Sequence, residues 1–486
     1  MKQITMLTAL IGCGSLVIAG PAPKRPNIIL VMADDQGWGQ TSYNHHPVLK
    51  TPNLDLMAEN GIRFNRFYAA APYCSPTRAS VITGRSNDRT GVNSVGYPLC
   101  KQEKTIAQAL KGAGYKTAHF GKWHLNGISG PGAPIFKNDE RSPGKFGFDT
   151  WLSVSNFFDL NPIMSRNGEF VEMKGESSHI IVNEALDYIK KEKESDKPLF
   201  VVIWYGSPHA PWRAEMGDKE PFVSLDEETQ NYYGELTGMD NSIGDLRKGL
   251  RDMKIAENTL IWFNSDNGGI SYFGQETVGG LRGSKGQIFE GGLRVPCVIE
   301  WPAGINKSRI TDYPASTMDI FPTIADVVGL PKSCMTLPVD GISIKDLFTC
   351  ALKKRSTPIP FRHQGRGAFV DNNYKLISMN ISKDAYMLYD LAKDPNETTD
   401  VLAENKGIAD KMIQEFKAWN QSVDASVEGK DYPDGLTDPR RRGIMWNTLP
   451  EFAPYLKEWK KRPEYAAYLD EKAGKPVRRV SAVKKK

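Results

Sequence analysis

Four short apolar runs along the chain each end, at the carboxyl side, in polar residues. NIILVMADDQGWG begins at Asn27 and leads into Asp34 and Asp35. KTAHFGKWHL begins at Lys116 and leads into Lys122 and His124. PLFVVIWYGSPHAPW begins at Pro198 and reaches His209, and TLIWFNSDNGG begins at Thr259 and reaches Asp266 and Asn267. Each run has strand length, is rich in β-branched or aromatic residues and is bounded by Gly or Pro. Near-continuous apolar character predicts strands buried on both faces of a sheet.

Helical periodicity lies between these runs. Residues 105–114 form a short helical pattern. Residues 178–193 carry Ile181, Ala185 and Ile189 on one stripe, and residues 226–253 carry Leu236, Met239, Ile243, Leu246 and Leu250. Alternating strands and helices predict an α/β domain with a mostly parallel central sheet flanked by helices. Ligands of such sheets bind beyond the carboxyl ends of the strands, so the four polar clusters are expected to line one pocket. After about Ser356 the pattern changes. RGAFVDNNYKLISMN and DAYMLYDLAKDPNE alternate like short strands, and residues 405–423 turn Ile408, Met412, Phe416 and Trp419 to one side. This predicts a smaller C-terminal α+β domain with a short antiparallel sheet. The expected division is a leader at 1–20, a catalytic domain at 21–355, a subdomain at 356–425 and a wrapping or mobile basic tail at 426–486.

Charge excludes one class of function. The net charge is +5, yet Lys457 to Lys486 holds eleven Lys or Arg against four Asp or Glu. The excess is therefore a tail, and the rest of the chain offers no basic footprint for nucleic acid. At the other end, Lys2 precedes an apolar stretch from Ile4 to Ala19, followed by small residues. This reads as a secretory signal peptide, too short and wrongly flanked for a membrane span. Leu10-Ile11-Gly12-Cys13 resembles a lipoprotein signal, but apolar residues continue past Cys13. Simple export, to the periplasm or beyond, is the favoured reading. Export permits disulfides, and Cys334 with Cys350 is the best pair by proximity. Cys297 reads as a buried strand thiol.

Asp34, Asp35, Asp266 and Asn267 are oxygen donors that suit a hard cation such as Ca²⁺ or Mg²⁺; zinc would want His or Cys. Each pair alone could equally be turn or cap chemistry. Arg78, Lys122, His124, His209 and Lys285 form a second, cationic group able to hold a tetrahedral oxyanion. His119 reads as a packed strand residue. GGLRGSKGQIFEGG is not a phosphate loop: no glycine directly precedes Lys285, and Gly286 stands where Ser or Thr should follow. Its glycines suit a loop that runs close to the pocket and delivers Lys285. Cys74 fits none of this chemistry as an ordinary thiol. It is a soft ligand among hard ones, and as a nucleophile it has no base adjacent in sequence.

CSPTRASVITGR, from Cys74 to Arg85, resembles the type I sulfatase signature, C-x-P-[ST]-R followed by T-G-R. ADDQGWG, GKWHL, SPHAP, SDNGG and LRGSKGQIFEGGLRVP match in the same order, and LYDLAKDPNETTDVL resembles the family's C-terminal marker. The resemblance spans roughly Asn27 to Asn405 and implies an alkaline-phosphatase-like catalytic domain. It implies that a separate maturation enzyme converts Cys74 to 3-oxoalanine, Cα-formylglycine, reading the neighbouring proline and arginine on the extended chain. Asp34, Asp35, Asp266 and Asn267 would hold the cation together with the oxygen of residue 74, and Arg78 would fix the formylglycine. Lys122 and Lys285 would grip sulfate, His209 would protonate the leaving alcohol, and His124 would help collapse a covalent sulfo-enzyme intermediate. One hydroxyl of the hydrated aldehyde would attack sulfur with Asp266 as base, and the other would expel sulfate.

The expected activity is hydrolysis of sulfate from a sulfated oligo- or polysaccharide, and the chain looks similar to bacterial sulfatases that act on galactosamine 6-sulfate or on algal galactans. Two alternatives stand beside it. One is a phosphodiesterase or phosphonate monoester hydrolase of the same superfamily; the other is a non-catalytic protein that binds sulfated glycans. Fold and core motifs do not fix the sugar. Trp38, His46, Tyr97, Asn156, Trp212, Arg213 and Arg282 are the candidate sugar contacts, from the affinity of aromatic faces and Arg for rings and their polar edges.

Overall fold

A computed structural model describes residues 25–156, 158–438 and 442–469. The proposed leader with Cys13, and the last residues of the basic tail, lie outside the described residues. All four apolar runs form strands and lie side by side at the centre of one large sheet. Its order is Arg309–Thr311, Ile62–Tyr68, Arg294–Glu300, Thr259–Ser265, Asn27–Ala33, Leu199–Trp204, Lys116–Lys122, Thr150–Val154, Ile163–Arg166, Glu169–Glu172. The five strands from Thr259–Ser265 to Thr150–Val154 run parallel, and the strands Arg294–Glu300, Ile163–Arg166 and Glu169–Glu172 run antiparallel to their neighbours. The sheet is therefore mixed at its flanks and parallel where the polar ends converge.

The apolar runs work because both faces are covered. Ile28, Leu30 and Met32 enter one core with Ala79, Val81, Ile106, Leu110 and Ile324. Ile29, Val31 and Ala33 enter the other with Ile181, Ala185, Leu236, Met239 and Ile243. The alternation of strand side chains thus sorts a single run into two cores. Helix Ser177–Glu192 starts on Glu176, whose carboxylate accepts from the backbone of Ser178 and His179, and Asp226 caps helix Glu227–Asp252 through Thr229. Thr105 and Gln108 close a reciprocal cap on helix Ile106–Gly112.

The C-terminal sheet is antiparallel: Ile359–His363, Arg366–Asp371, Tyr374–Ser378 and Met387–Asp390. One face packs on helix Lys406–Val427 through Ala409, Met412 and Phe416. The other packs Ile359, Phe361, Val370 and Ile377 on Tyr68, Ile288, Phe289 and Leu293 of the catalytic domain. At its centre is a buried charge cluster. Lys375 Nζ donates to Glu290 Oε1 and pairs with Glu397 Oε1, each at 2.9 Å, and Glu397 Oε2 accepts from the Glu290 backbone N–H at 2.7 Å.

Beyond residue 441 the chain returns to the catalytic domain. Ile444–Met445 pairs in parallel with Ile128–Ser129, and Trp446, Phe452, Trp459 and Tyr465 form an aromatic cluster with Ala133 and Ile163. Cys334 and Cys350 are not paired. Both are free thiols: Cys334 packs at the margin of the core, while Cys350 is exposed beside Thr349 Oγ1. Closeness in sequence did not point their side chains at each other.

Candidate active site

Cys74 opens helix Cys74–Thr83, a helix in which every residue is buried. Pro76 is tolerated because it lies in the first turn, where backbone N–H groups have no helical partner. Arg78 stands four residues after Cys74 and so shares its face. Gly84 ends the helix at φ 73°, the left-handed geometry that favours glycine, and its carbonyl accepts from Asp340 and Gly341. Arg85 is buried between Glu103, Asp431 and the carbonyls of Thr336 and Pro338. Within the signature, Cys74 and Arg78 therefore face the site, while Gly84 and Arg85 anchor the helix.

The four strand ends meet in front of this helix. Arg78 Nη2 donates to Asp266 Oδ2 at 2.8 Å and lies 3.7 Å from Asp34 Oδ2; its Nη1 donates to the Lys122 carbonyl at 3.0 Å. Lys122 Nζ donates to Asp34 Oδ2, and Lys285 Nζ donates to Asp35 Oδ2 at 2.6 Å. Asn267 Nδ2 donates to Asp35 Oδ1 at 2.8 Å, and the Asp35 N–H donates to Asp266 Oδ1 at 3.2 Å. Cys74 Sγ lies 3.3 Å from His124 Nδ1. The loop bearing Lys285 is stitched down on both sides of the site. The Lys285 N–H donates to Gly269 O and the Gly286 N–H to Pro72 O, each at 2.9 Å. Asp35 and His124 both adopt left-handed backbone, at φ 71° and 55°, a strained geometry held by its surroundings.

Cys74, Asp34, Asp35, Arg78, Lys122, His124, Asp266 and Asn267 are buried, whereas the side chains of Lys285 and His209 are 12% and 21% exposed. The mouth of the site is thus on the Lys285–His209 side. Burial raises the Asp34 carboxyl, but Lys122, His209, Arg78 and Lys285 overcome this and hold it well below the usual range. Burial and the Asp34 charge push Asp266 up to about 7. Burial raises the Cys74 thiol. Burial, then Lys122 and Arg78, keep His124 neutral; burial and Lys285 push His209 down to about 4.

These groups fit a hard divalent cation. Asp34 Oδ1 and Asn267 Oδ1 are buried oxygens without a hydrogen-bond partner among the described residues. Ligand atoms of Asp34, Cys74 and Asp266 lie within 4.8 Å of one another, as do those of Asp34, Asp35 and His209. Three packed carboxylates repel one another, and a dication is the ligand that relieves them.

The sugar candidates scatter. Trp38 lies under Arg294, 4.3 Å from its guanidinium, and donates to Asn65 O. His46 is neither at the surface nor on a rim: its Nδ1 accepts from the Val48 and Leu49 backbones, and its ring meets Tyr233 edge-on. Arg282 is held by Glu397 O, Tyr389 Oη and the ring of Phe289. Tyr97 packs at the margin of the core. These four serve the fold. Trp212 stacks on Tyr272, two-thirds exposed, and donates to Pro208 O. Asn156 is buried with Oδ1 unpartnered, and Arg213 lines a cavity. That cavity is also lined by Asp159 and Glu464. Neither was legible in the sequence, since they lie far apart and outside any apolar run. His119 is a packed residue, ringed by Trp123, Phe148 and Trp204.

Fixed cations and carboxylates around one buried side chain, at the carboxyl ends of a parallel sheet, define a hydrolase of tetrahedral oxyanion esters. The sulfatase family model matches residues 26–330, and that of the N-sulphoglucosamine sulphohydrolase C-terminal region matches residues 284–422. The chain belongs to the sulfatase family, the sulfuric ester hydrolases. It is 33% identical to N-acetylgalactosamine-6-sulfatase of Sus scrofa over 74% of this chain and 72% of that one. For the ulvan-active sulfatase of Formosa agariphila the identity is 31%, over 67% and 65%. Among solved structures, Ps i-CgsB in complex with k-i-k-neocarrahexaose shares the fold at TM-score 0.72 and 23% identity, covering 92% of this chain and all of that one. The phosphonate monoester hydrolase of Agrobacterium radiobacter shares it at TM-score 0.56 and 20% identity, covering 83% and 96%.

Proposed function

We propose that the protein removes sulfate from a sulfated carbohydrate, with residue 74 acting as formylglycine. The observation that carries this reading is the seat of Cys74. Its sulfur touches His124 and shares a buried cluster with Asp34 and Asp266, inside a ring of Arg78, Lys122 and Lys285. A thiol gains little there, because burial raises its pKa and withholds the thiolate. As a hydrated aldehyde, residue 74 would supply a hydroxyl nucleophile and a route for releasing sulfate.

A divalent cation held by Asp34, Asp35, Asp266 and Asn267 would draw charge from the ester oxygens. The chain's own groups do the rest. Lys122 and Lys285 bind and orient the sulfate oxygens, and Arg78 keeps Asp34 and Asp266 in register. Three fixed cations answer a substrate that is already anionic and gains charge on its leaving oxygen. His209 lies at the mouth, where the alcohol departs. Its Nδ1 is 2.7 Å from the Ala210 carbonyl, which can only accept, so Nδ1 carries a proton and Nε2 is the nitrogen that exchanges one. The negative charge of an arriving ester works against the depression of this imidazole and favours the acid form. His124, neutral and in contact with residue 74, is placed to take a proton there.

The N-acetylgalactosamine-6-sulfatases and the ulvan-active sulfatase point to a saccharide substrate. We assign the protein to the exported compartment from its amino-terminal sequence; among the described residues no helix is long and apolar enough to cross a membrane. The test is production with and without a formylglycine-generating enzyme. Mass spectrometry of the Cys74 peptide, and turnover of matched aryl sulfate, phosphate and phosphonate esters, are the readouts. Conversion of Cys74 with preferred sulfate hydrolysis is expected, and Cys74→Ala should abolish turnover while leaving the fold intact. Full activity of Cys74→Ala would overturn the assignment; faster phosphonate turnover would favour the alternative hydrolase.

A further inference from the structure

Next to the mouth of the site is a cavity with about 390 Å³ of empty space, counted out to its opening. Phe158, Asp159, Pro211, Arg213, Glu464 and Tyr465 line it. Its position follows from the chain. Pro211 and Arg213 come directly after His209. The Phe158 backbone presses on Gly206, where an added Cβ would meet Phe158 O at 2.8 Å. The His209 N–H in turn donates to Gly206 O. The cavity therefore begins where the alcohol would leave.

Its walls are built by parts of the chain that meet only here. The Asp159 segment is fixed because the Ser177 N–H donates to Asp159 O and the Asn161 side chain donates to Glu464 Oε1 at 2.8 Å. Tyr465 is locked by the Ile163 N–H and the Gly132 carbonyl. The cavity is thus completed by the C-terminal segment. Asp159 Oδ1 is buried at this wall with no hydrogen-bond partner among the described residues. A carboxylate oxygen left without a partner beside empty space calls for a donor from a ligand. Arg213 supplies a guanidinium within electrostatic reach of both Asp159 and Glu464.

Two carboxylates, one guanidinium and a wall of Phe, Tyr and Pro are the chemistry of a sugar ring. The carboxylates accept from neighbouring hydroxyls, the guanidinium donates to ring or hydroxyl oxygens, and the apolar wall takes the C–H face. Buried Glu235, whose Oε1 accepts from the Arg213 N–H at 2.6 Å, lies behind them. Burial and Glu176 raise the Asp159 carboxyl, and burial and Asp159 raise that of Glu235, toward their neutral forms, which leaves Glu464 as the carboxylate that answers Arg213.

We propose that Asp159, Arg213 and Glu464 form the pocket for the sugar that carries the sulfate, and that they hold a hexose or N-acetylhexosamine through its free neighbouring hydroxyls. This rests on the sulfatase reading, so the experiment separates the two. The matured protein and its Asp159→Asn, Arg213→Gln and Glu464→Gln variants are assayed on an aryl sulfate with no sugar and on galactose 6-sulfate and N-acetylgalactosamine 6-sulfate. Expected is a loss of about 10- to 100-fold in kcat/KM on the neutral sugar sulfates for each variant, the cost of an unpaired site group. The aryl sulfate rate stays within about twofold. Glu464→Gln keeps an acceptor for Asn161, so it tests the pocket without disturbing the wall. Equal losses on aryl and sugar sulfates, or no loss on sugars, would overturn the proposal. Absence of any sulfate release by the matured wild type would instead sink the sulfatase reading.

Discussion

Replacing Lys375 by Met tests how the C-terminal sheet governs a loop of the catalytic domain. Lys375 is fully buried and is the counter-charge shared by Glu290 and Glu397, both also buried. Methionine fills much of the same volume but leaves the two carboxylates with only the more distant Arg294, 3.9 Å from Glu290 Oε2, to answer them. Breaking a buried pair in this way costs about 3–5 kcal/mol. Equilibrium urea unfolding, followed by tryptophan fluorescence, reads that loss directly. Adding Glu290→Gln to the same chain removes one stranded charge and should return at least about 1 kcal/mol. Activity should respond as well, because Glu397 also holds Arg282 and the Glu290 N–H, the two ends of the loop that carries Lys285. A displacement of order 1 Å at a binding group costs on the order of 100-fold, so kcat/KM on a small aryl sulfate should fall between about 10- and 100-fold in the folded variant. A stability change below about 1 kcal/mol, with unchanged turnover, would refute the view that this cluster seats the loop.

Ca²⁺ should stabilise the protein against unfolding by about 2.7 kcal/mol at a hundred times its dissociation constant, and Asp34→Asn should remove most of that gain; a calcium-independent midpoint in the wild type would count against the cation site. The pH dependence should carry a signature of His46, which burial pushes down to about 4 in the folded chain against about 6.5 when unfolded. The unfolded state then binds the extra proton first, so this contribution to stability is complete above about pH 6.5 and is lost as pH falls toward 4. His46→Asn, which keeps an acceptor for Val48 and Leu49, should move the acid-unfolding midpoint downward; an unchanged midpoint would refute it.

The apolar runs betrayed the centre of the fold because strands covered on both faces have to be apolar throughout. They also pointed to the polar residues that meet in front of helix Cys74–Thr83, since the carboxyl ends of parallel strands must converge. Strand Ile163–Arg166 and the edge strand Glu169–Glu172 lie in the antiparallel flank, have mixed surroundings and left no comparable trace. The sugar candidates fared differently. Trp38, His46, Tyr97 and Arg282 are types that bind sugars on surfaces and pack well in interiors, and residue type alone does not separate the two. Asp159 and Glu464 are brought together only when the C-terminal segment folds back. A wrapping tail was one of the two readings of this segment, but its docking site was hidden because Trp446, Phe452, Trp459 and Tyr465 sit among Pro, Gly and charge without helical or strand period.

The complete burial of helix Cys74–Thr83 sets a deadline. Any enzyme that alters Cys74 must grasp the chain around it, and in the finished fold nothing there can be grasped. Chemistry at this position is therefore a race against collapse. Ile28 pairs with Phe200 and Leu260, contacts that reward the chain only after long loops have closed, so this sheet is expected to assemble slowly. Such a topology would lengthen the time in which position 74 can still be reached.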